Sequence, residues 1–225
     1  MKQYTRVLAR VDLDAVEYNI EMMKKNIEEG TQIMAVIKMD GYGHGAVQIA
    51  RLLEAKDYIW GYAVATLDEA ILLKDACLKK PVLVLGCIFP DQWEVMLRNE
   101  VRMTLYSYEM AKEVSELAAA MDCKVYAHIK LDTGMSRLGF QITKENADEI
   151  AKISKIPNIV MEGMFTHFSK ADEGDKTFTN EQLEKYLWMK EELKKRNVTF
   201  SYYHCSNSAG IIDVKDANMY IVRAG

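Results

Sequence analysis

Lys38 follows the apolar run Ala35, Val36 and Ile37, and the next seven residues, Met39 to Gly45, hold three glycines, a tyrosine and a histidine. An amine at the end of an apolar run, beside a glycine-rich turn, is a candidate nucleophile that adds to a carbonyl. Glycines at 41, 43 and 45 let the backbone turn tightly beside that amine. Further polar residues close other apolar runs: Lys130 and Asp132 with Arg137 just beyond, His167, the group His204, Asn207 and Ser208, and finally Arg223 ahead of Gly225. Each has an ordinary reading as well. Lys38 suits a solvated strand end, Tyr42 and Ser208 suit turns, and His167 suits a core histidine bonded to a neighbour. His44 and His204 are left as structural or of unknown role.

Placing these residues on one rim requires a particular set of elements. Eight short apolar runs read as strands, at 32–38, 59–66, 81–86, 101–106, 124–132, 159–168, 199–207 and 219–225, and their lack of strict alternation suits strands buried on both faces of a parallel sheet. Helical spacing fills most gaps: Ala46, Ile49, Ala50 and Leu53 fall at i, i+3, i+4 and i+7. Eight such units predict a (β/α)8 TIM barrel, in which chemistry collects at the C-terminal ends of the strands. An open doubly wound sheet is the alternative. A further strand and a long helix are expected before the first of the eight, within residues 6–29.

The 225 residues carry a formal net charge of −4, with lysines scattered among acids, which argues against a nucleic-acid partner. No apolar stretch is long enough for a membrane span and the start lacks a signal-peptide core, so a cytoplasmic location is expected. Four widely spaced cysteines form neither a metal cluster nor a disulfide framework. The 14 methionines read as core filler. With three prolines and no Ser/Gly/Pro-rich linker, one domain is the simplest organisation.

The stretches AVIKMDGYGHG, IKLDTGMSRLGF, FTHFSKAD, HCSNSAG and VRAG, in this order and at this approximate spacing, resemble the pyridoxal-phosphate barrel of the alanine racemases. ARVDLDAVEYNI resembles the family's opening, so the resemblance covers nearly the whole chain. It implies that residues 1–225 form an N-terminal barrel domain binding pyridoxal 5'-phosphate (PLP), with no metal. Lys38 would hold the cofactor as a Schiff base and act as one acid/base group at the amino acid's α-carbon. Tyr42 and Ser208 would donate to the cofactor phosphate, and Asn207 and Gly225 would lie against the cofactor. Arg137 would face the ring hydroxyl and the substrate carboxylate, with Lys130, if carbamylated, holding it. Arg223, braced by His167, would face the pyridine nitrogen. The implied activity is racemisation of alanine or serine by a homodimer, in the supply of D-alanine for peptidoglycan.

Alanine racemases continue into a second, mostly β domain that contributes a tyrosine to the partner's site, and this sequence is expected to lack it. The 225 residues alone would then racemise poorly. Two other functions stay open: a stand-alone PLP-binding barrel of the cofactor-homeostasis kind, and an aldolase whose lysine meets a carbonyl substrate without cofactor. KMDGYGHG and HCSNSAG look like the racemase versions of these stretches.

Overall fold

The computed structural model describes residues 7–225. Helix α1 (Leu13–Lys25) starts where Asp12 Oδ1 accepts from the N–H groups of Asp14 and Ala15 at 3.0 and 3.1 Å. Residues 7–12 are irregular instead of the strand expected there, and residues 1–6 lie outside the described part. An extended segment needs a neighbouring edge to complete its ladder, and none of the described strands pairs with this one.

The eight expected strands follow as β1 (Gln32–Val36), β2 (Ile59–Val64), β3 (Val82–Val84), β4 (Met103–Leu105), β5 (Val125–Asp132), β7 (Ile159–Phe165), β8 (Tyr202–His204) and β9 (Ile221–Ala224), with a two-residue β6 (Phe140–Gln141) beside the end of β5. All pairings are parallel, in the orders β3-β2-β1-β9 and β4-β5-β7-β8. A parallel bridge between Leu83 and Arg102 joins the two arcs on one side. On the other, Arg223 N–H donates to Ser206 O at 3.0 Å, which closes the barrel.

The helices between them are α2 (Lys38–Gly43), α3 (Ala46–Leu53), α4 (Leu67–Asp75), α5 (Trp93–Arg98), α6 (Tyr108–Ala120), α7 (Lys144–Ile153), α8 (Thr177–Lys195) and α9 (Ser208–Asp213). Alternation along β1 shows how the barrel divides its apolar residues. Ile33 and Ala35 face the helices, where the four periodic residues of α3 are all buried. Met34 joins Trp60, Leu83 and Ile221 in a separate inner cluster. Side chains of Thr66, Ser107 and Thr143 cap α4, α6 and α7, each stabilising its helix by about 1 kcal/mol. No helix among the described residues is long and apolar enough to cross a membrane.

Candidate functional site

A cavity of about 430 Å³ opens at the C-terminal ends of the strands, and all nine candidate residues line it: Lys38, Tyr42, Lys130, Arg137, His167, Asn207, Ser208, Arg223 and Gly225. Four of them are lysines or arginines, and among the described residues no Asp or Glu side chain joins them in the lining.

Lys38 arrives there by an unusual backbone route. β1 ends at Val36, two residues before the lysine, and the chain then winds left-handed. Met39, Asp40, Gly41 and Tyr42 have φ/ψ of 53/49, 53/47, 62/38 and 55/38°. Left-handed winding costs roughly 1–2 kcal/mol for each L-residue, so the three non-glycine residues impose a real strain. Short hydrogen bonds hold it. Gly41 N–H reaches Ile37 O at 2.9 Å, Gly45 N–H reaches Asp40 O at 2.8 Å, and Ala46 N–H reaches Asp40 Oδ1 at 2.8 Å. Gly41 has a second reason to be glycine, because a Cβ there would lie 2.9 Å from Ile49 Cδ1. The turn brings the Tyr42 ring to 5.8 Å from Lys38 Nζ, and burial raises the phenol's pKa so that it keeps its proton. His44 sits against the carbonyls of Gly41 and Tyr42 at 3.1 and 3.2 Å.

β5 delivers Lys130 into a dry setting, 5% exposed and 5.5 Å over the Phe165 ring, with Nζ donating to Leu131 O at 2.7 Å. Burial, then the charge of Arg223, pushes its amine down to about 8 despite the pull of Asp132. Burial alone would raise Asp132, but N–H donors from Ser136 and Gly134 at 2.9 and 3.0 Å outweigh it and hold the carboxylate low. Those two bonds fold the loop that presents Arg137.

Arg223 is the most enclosed lysine or arginine among the described residues, 3% exposed. Its Nη2 donates to the carbonyls of Thr166 and Cys205 at 2.7 and 2.9 Å and approaches His167 Nδ1 at 3.4 Å. Nη1 donates to His204 Nδ1 at 2.9 Å. His204, left by the sequence as structural or of unknown role, is the nearer imidazole at 2.9 Å, and His167 lies beyond it at 3.4 Å. Burial and the surrounding cations push His167 down to about 3, so it is neutral at ordinary pH.

A guanidinium only donates, so His204 must present its lone pair at Nδ1 and carry its proton on Nε2. That proton points at His128 Nδ1, 2.8 Å away, which places the His128 proton on Nε2. His128 Nε2 is buried without a hydrogen-bond partner, 3.9 Å from Glu162, which pairs with Arg102. A polar column thereby runs from Arg223 down through the barrel. The sequence reading missed His128 and Glu162: a histidine between Ala127 and Ile129 looks like core, and only the barrel aligns it with His204.

The remaining two side chains are tied into the frame. Asn207 Oδ1 accepts from Gly210 N–H at 3.0 Å, capping α9. Ser208 Oγ donates to Gly225 O at 2.8 Å and accepts from Gly225 N–H at 3.1 Å, latching α9 to the end of β9.

The family model of the alanine racemase N-terminal domain matches residues 11–225. Alanine racemase of Clostridium tetani (strain Massachusetts / E88) is 44% identical over 224 residues, covering 100% of this chain and 57% of the relative. Among solved structures, alanine racemase of Clostridium difficile 630 in complex with cycloserine has a TM-score of 0.94 at 40% identity, over 96% of this chain and 59% of that one. The Bacillus anthracis enzyme with bound L-Ala-P has a TM-score of 0.89 at 33% identity, over 96% and 55%. The chain spans a little over half the length of these relatives. Sequence match, barrel and superposition agree: the chain belongs to the alanine racemase N-terminal domain family.

Proposed function

We propose that residues 1–225 are the PLP-binding barrel domain of an alanine racemase, acting in the cytoplasm on L- and D-alanine, with serine as the neighbouring substrate, and assembling as a homodimer. The observation that carries this reading is the convergence of all nine candidate residues on one cavity whose basic groups are balanced, among the described residues, by no lining Asp or Glu side chain. That donor set fits the cofactor: an amine for its carbonyl, hydroxyls at Tyr42 and Ser208 and nearby cations for a phosphate dianion, and a guanidinium for a ring nitrogen. When bound, PLP supplies a conjugated carbonyl and ring that withdraw electrons from the α-carbon of an amino acid.

Lys38 Nζ would bond the cofactor's carbonyl carbon with the carbonyl oxygen leaving as water and, once the substrate amine has replaced it there, carry a proton to or from one face of that α-carbon. Arg137 would bind the substrate carboxylate by charge-assisted hydrogen bonds. Arg223 would meet the ring nitrogen as a donor that keeps its proton, since the carbonyls of Thr166, His204 and Cys205 around it can only accept. That leaves the ring less able to hold charge and favours return of the proton to carbon over transamination. Lys130, its amine pushed down to about 8, has the neutral form that reacts with carbon dioxide, and a carbamate there would place an anion beside Arg137. The cofactor-homeostasis barrel and the cofactor-free aldolase have no comparable support.

The test is chemical. Load the protein with PLP, reduce with borohydride, digest, and locate the label by mass; it should lie on Lys38 and vanish in Lys38→Ala. A label on Lys130 or any other lysine overturns the assignment.

A further inference from the structure

We propose that Glu69 is a positioning residue for Lys38, holding in place the left-handed turn that sets the lysine in the cavity. This rests on the reading of Lys38 as the carbonyl-binding amine. Glu69 lies in the first turn of α4 and forms a capping box with Thr66, its own N–H donating to Thr66 Oγ1 at 3.4 Å. A capping box engages one carboxylate oxygen, and here Oε2 serves it, accepting from the N–H groups of Ala65 at 2.7 Å and Thr66 at 3.3 Å. The other oxygen turns to the neighbouring rim loop. Oε1 accepts from Met39 N–H at 2.7 Å.

That amide belongs to the peptide bond joining Lys38 to Met39. Its direction is set by ψ of Lys38 and φ of Met39, the torsions through which the chain enters the left-handed turn. Within the turn, Gly41 N–H returns to Ile37 O, so the earlier Met39 N–H lies ahead of the turn's own bonds and is satisfied by Glu69. Packing offers little help, since the Met39 side chain is 68% exposed. The carboxylate thus ties the wall carrying Lys38 to the wall carrying Ala65, both of which line the cavity. A glutamine has one accepting oxygen and an NH2 group that would face the other N–H, and an aspartate is one methylene short of bridging the two loops.

Three variants separate positioning from simple loss of stability. Glu69→Ala removes both bonds, Glu69→Gln keeps at most one good one, and Thr66→Val weakens the α4 cap while leaving the carboxylate on Met39. For each, measure the melting temperature, the rate at which added PLP produces the visible band that borohydride bleaches, and hydrogen exchange of residues 39–42 without cofactor. Glu69→Ala should slow the band about tenfold or more and speed exchange across 39–42, with Glu69→Gln between it and wild type. Thr66→Val should lower the melting temperature without either change. Wild-type kinetics and exchange in Glu69→Ala, or equal slowing in Thr66→Val at equal loss of stability, would overturn the proposal. Lys38→Ala must abolish the band; if the band persists there, the amine reading fails, while the exchange data still report separately on whether Glu69 holds the turn.

Discussion

Lys130 shows how one residue records its surroundings in a measurable pH dependence. Its amine ordinarily titrates near 10.5, and burial with the Arg223 charge brings it to about 8 in the fold. Below pH 8 both folded and unfolded chains hold the proton, and the native state bears the whole penalty. Between pH 8 and 10.5 only the unfolded chain holds it, so the native state gains stability as pH rises, by about 3 kcal/mol in all. Urea unfolding in bicarbonate-free buffer should therefore show wild type gaining on Lys130→Met across that window and level outside it. A constant difference would mean that Lys130 is not a buried cation in the unmodified protein. The sequence placed Lys130 at the close of an apolar run, and it lines the cavity there, whereas its expected carbamylation came from the resemblance alone. His128 and Glu69 were not legible in the sequence: one sits in the middle of a strand and the other in an ordinary capping box, and each acquires its role from a neighbour far away in sequence.

Among the elements, β5, β7 and β8 are locked together by the polar column. Gly163 on β7 pairs with His128 in the ladder, and a Cβ added to it would fall 2.4 Å from His128 Nδ1. His128 cannot rotate away without abandoning its bond to His204. Gly163→Ala should therefore cost about 1–3 kcal/mol, by overpacking, in denaturant unfolding. It should also break the defined proton placement on both imidazoles, visible as mixed tautomers in nitrogen-15 spectra of the histidines. Unchanged stability and spectra would show that the column yields freely. All eight barrel strands were readable as apolar runs, since burial on both faces writes itself into residue type, yet their ends were not. The expected first strand ran to Lys38, whereas β1 stops at Val36 because the left-handed turn needs the last two residues. β6 left no pattern because a two-residue pairing has no period to detect.

On the scale of the whole molecule, charge is unevenly spread. The chain carries −4 overall, yet Lys38, Lys130, Arg137 and Arg223 meet in one cavity whose lining, among the described residues, has no Asp or Glu side chain. Clefts of one sign focus the field and gather counter-ions, so an anion that binds the native state should raise the melting temperature by mass action. Inorganic phosphate at ten times its dissociation constant should stabilise by about 1.4 kcal/mol, a rise of roughly 3–5 °C for a chain of this size. The double variant Tyr42→Phe with Ser208→Ala should lose most of that rise. An equal rise from chloride at matched ionic strength would assign the effect to general screening instead.

β1 is completed on one edge by β9, with Met34 paired to Arg223 and Gln32 to Ile221. During synthesis at about 5–20 residues per second, roughly ten to forty seconds separate the addition of Lys38 from that of Arg223. For that interval the lysine exists without the guanidinium that completes its cavity, and the β1 edge has no partner strand. Pairings so distant along the chain form late, after the local helices and the contacts between successive β-α-β units. A nascent chain thus lacks the assembled cavity until its last strand is made, and until then the β1 edge stays open to other pairings.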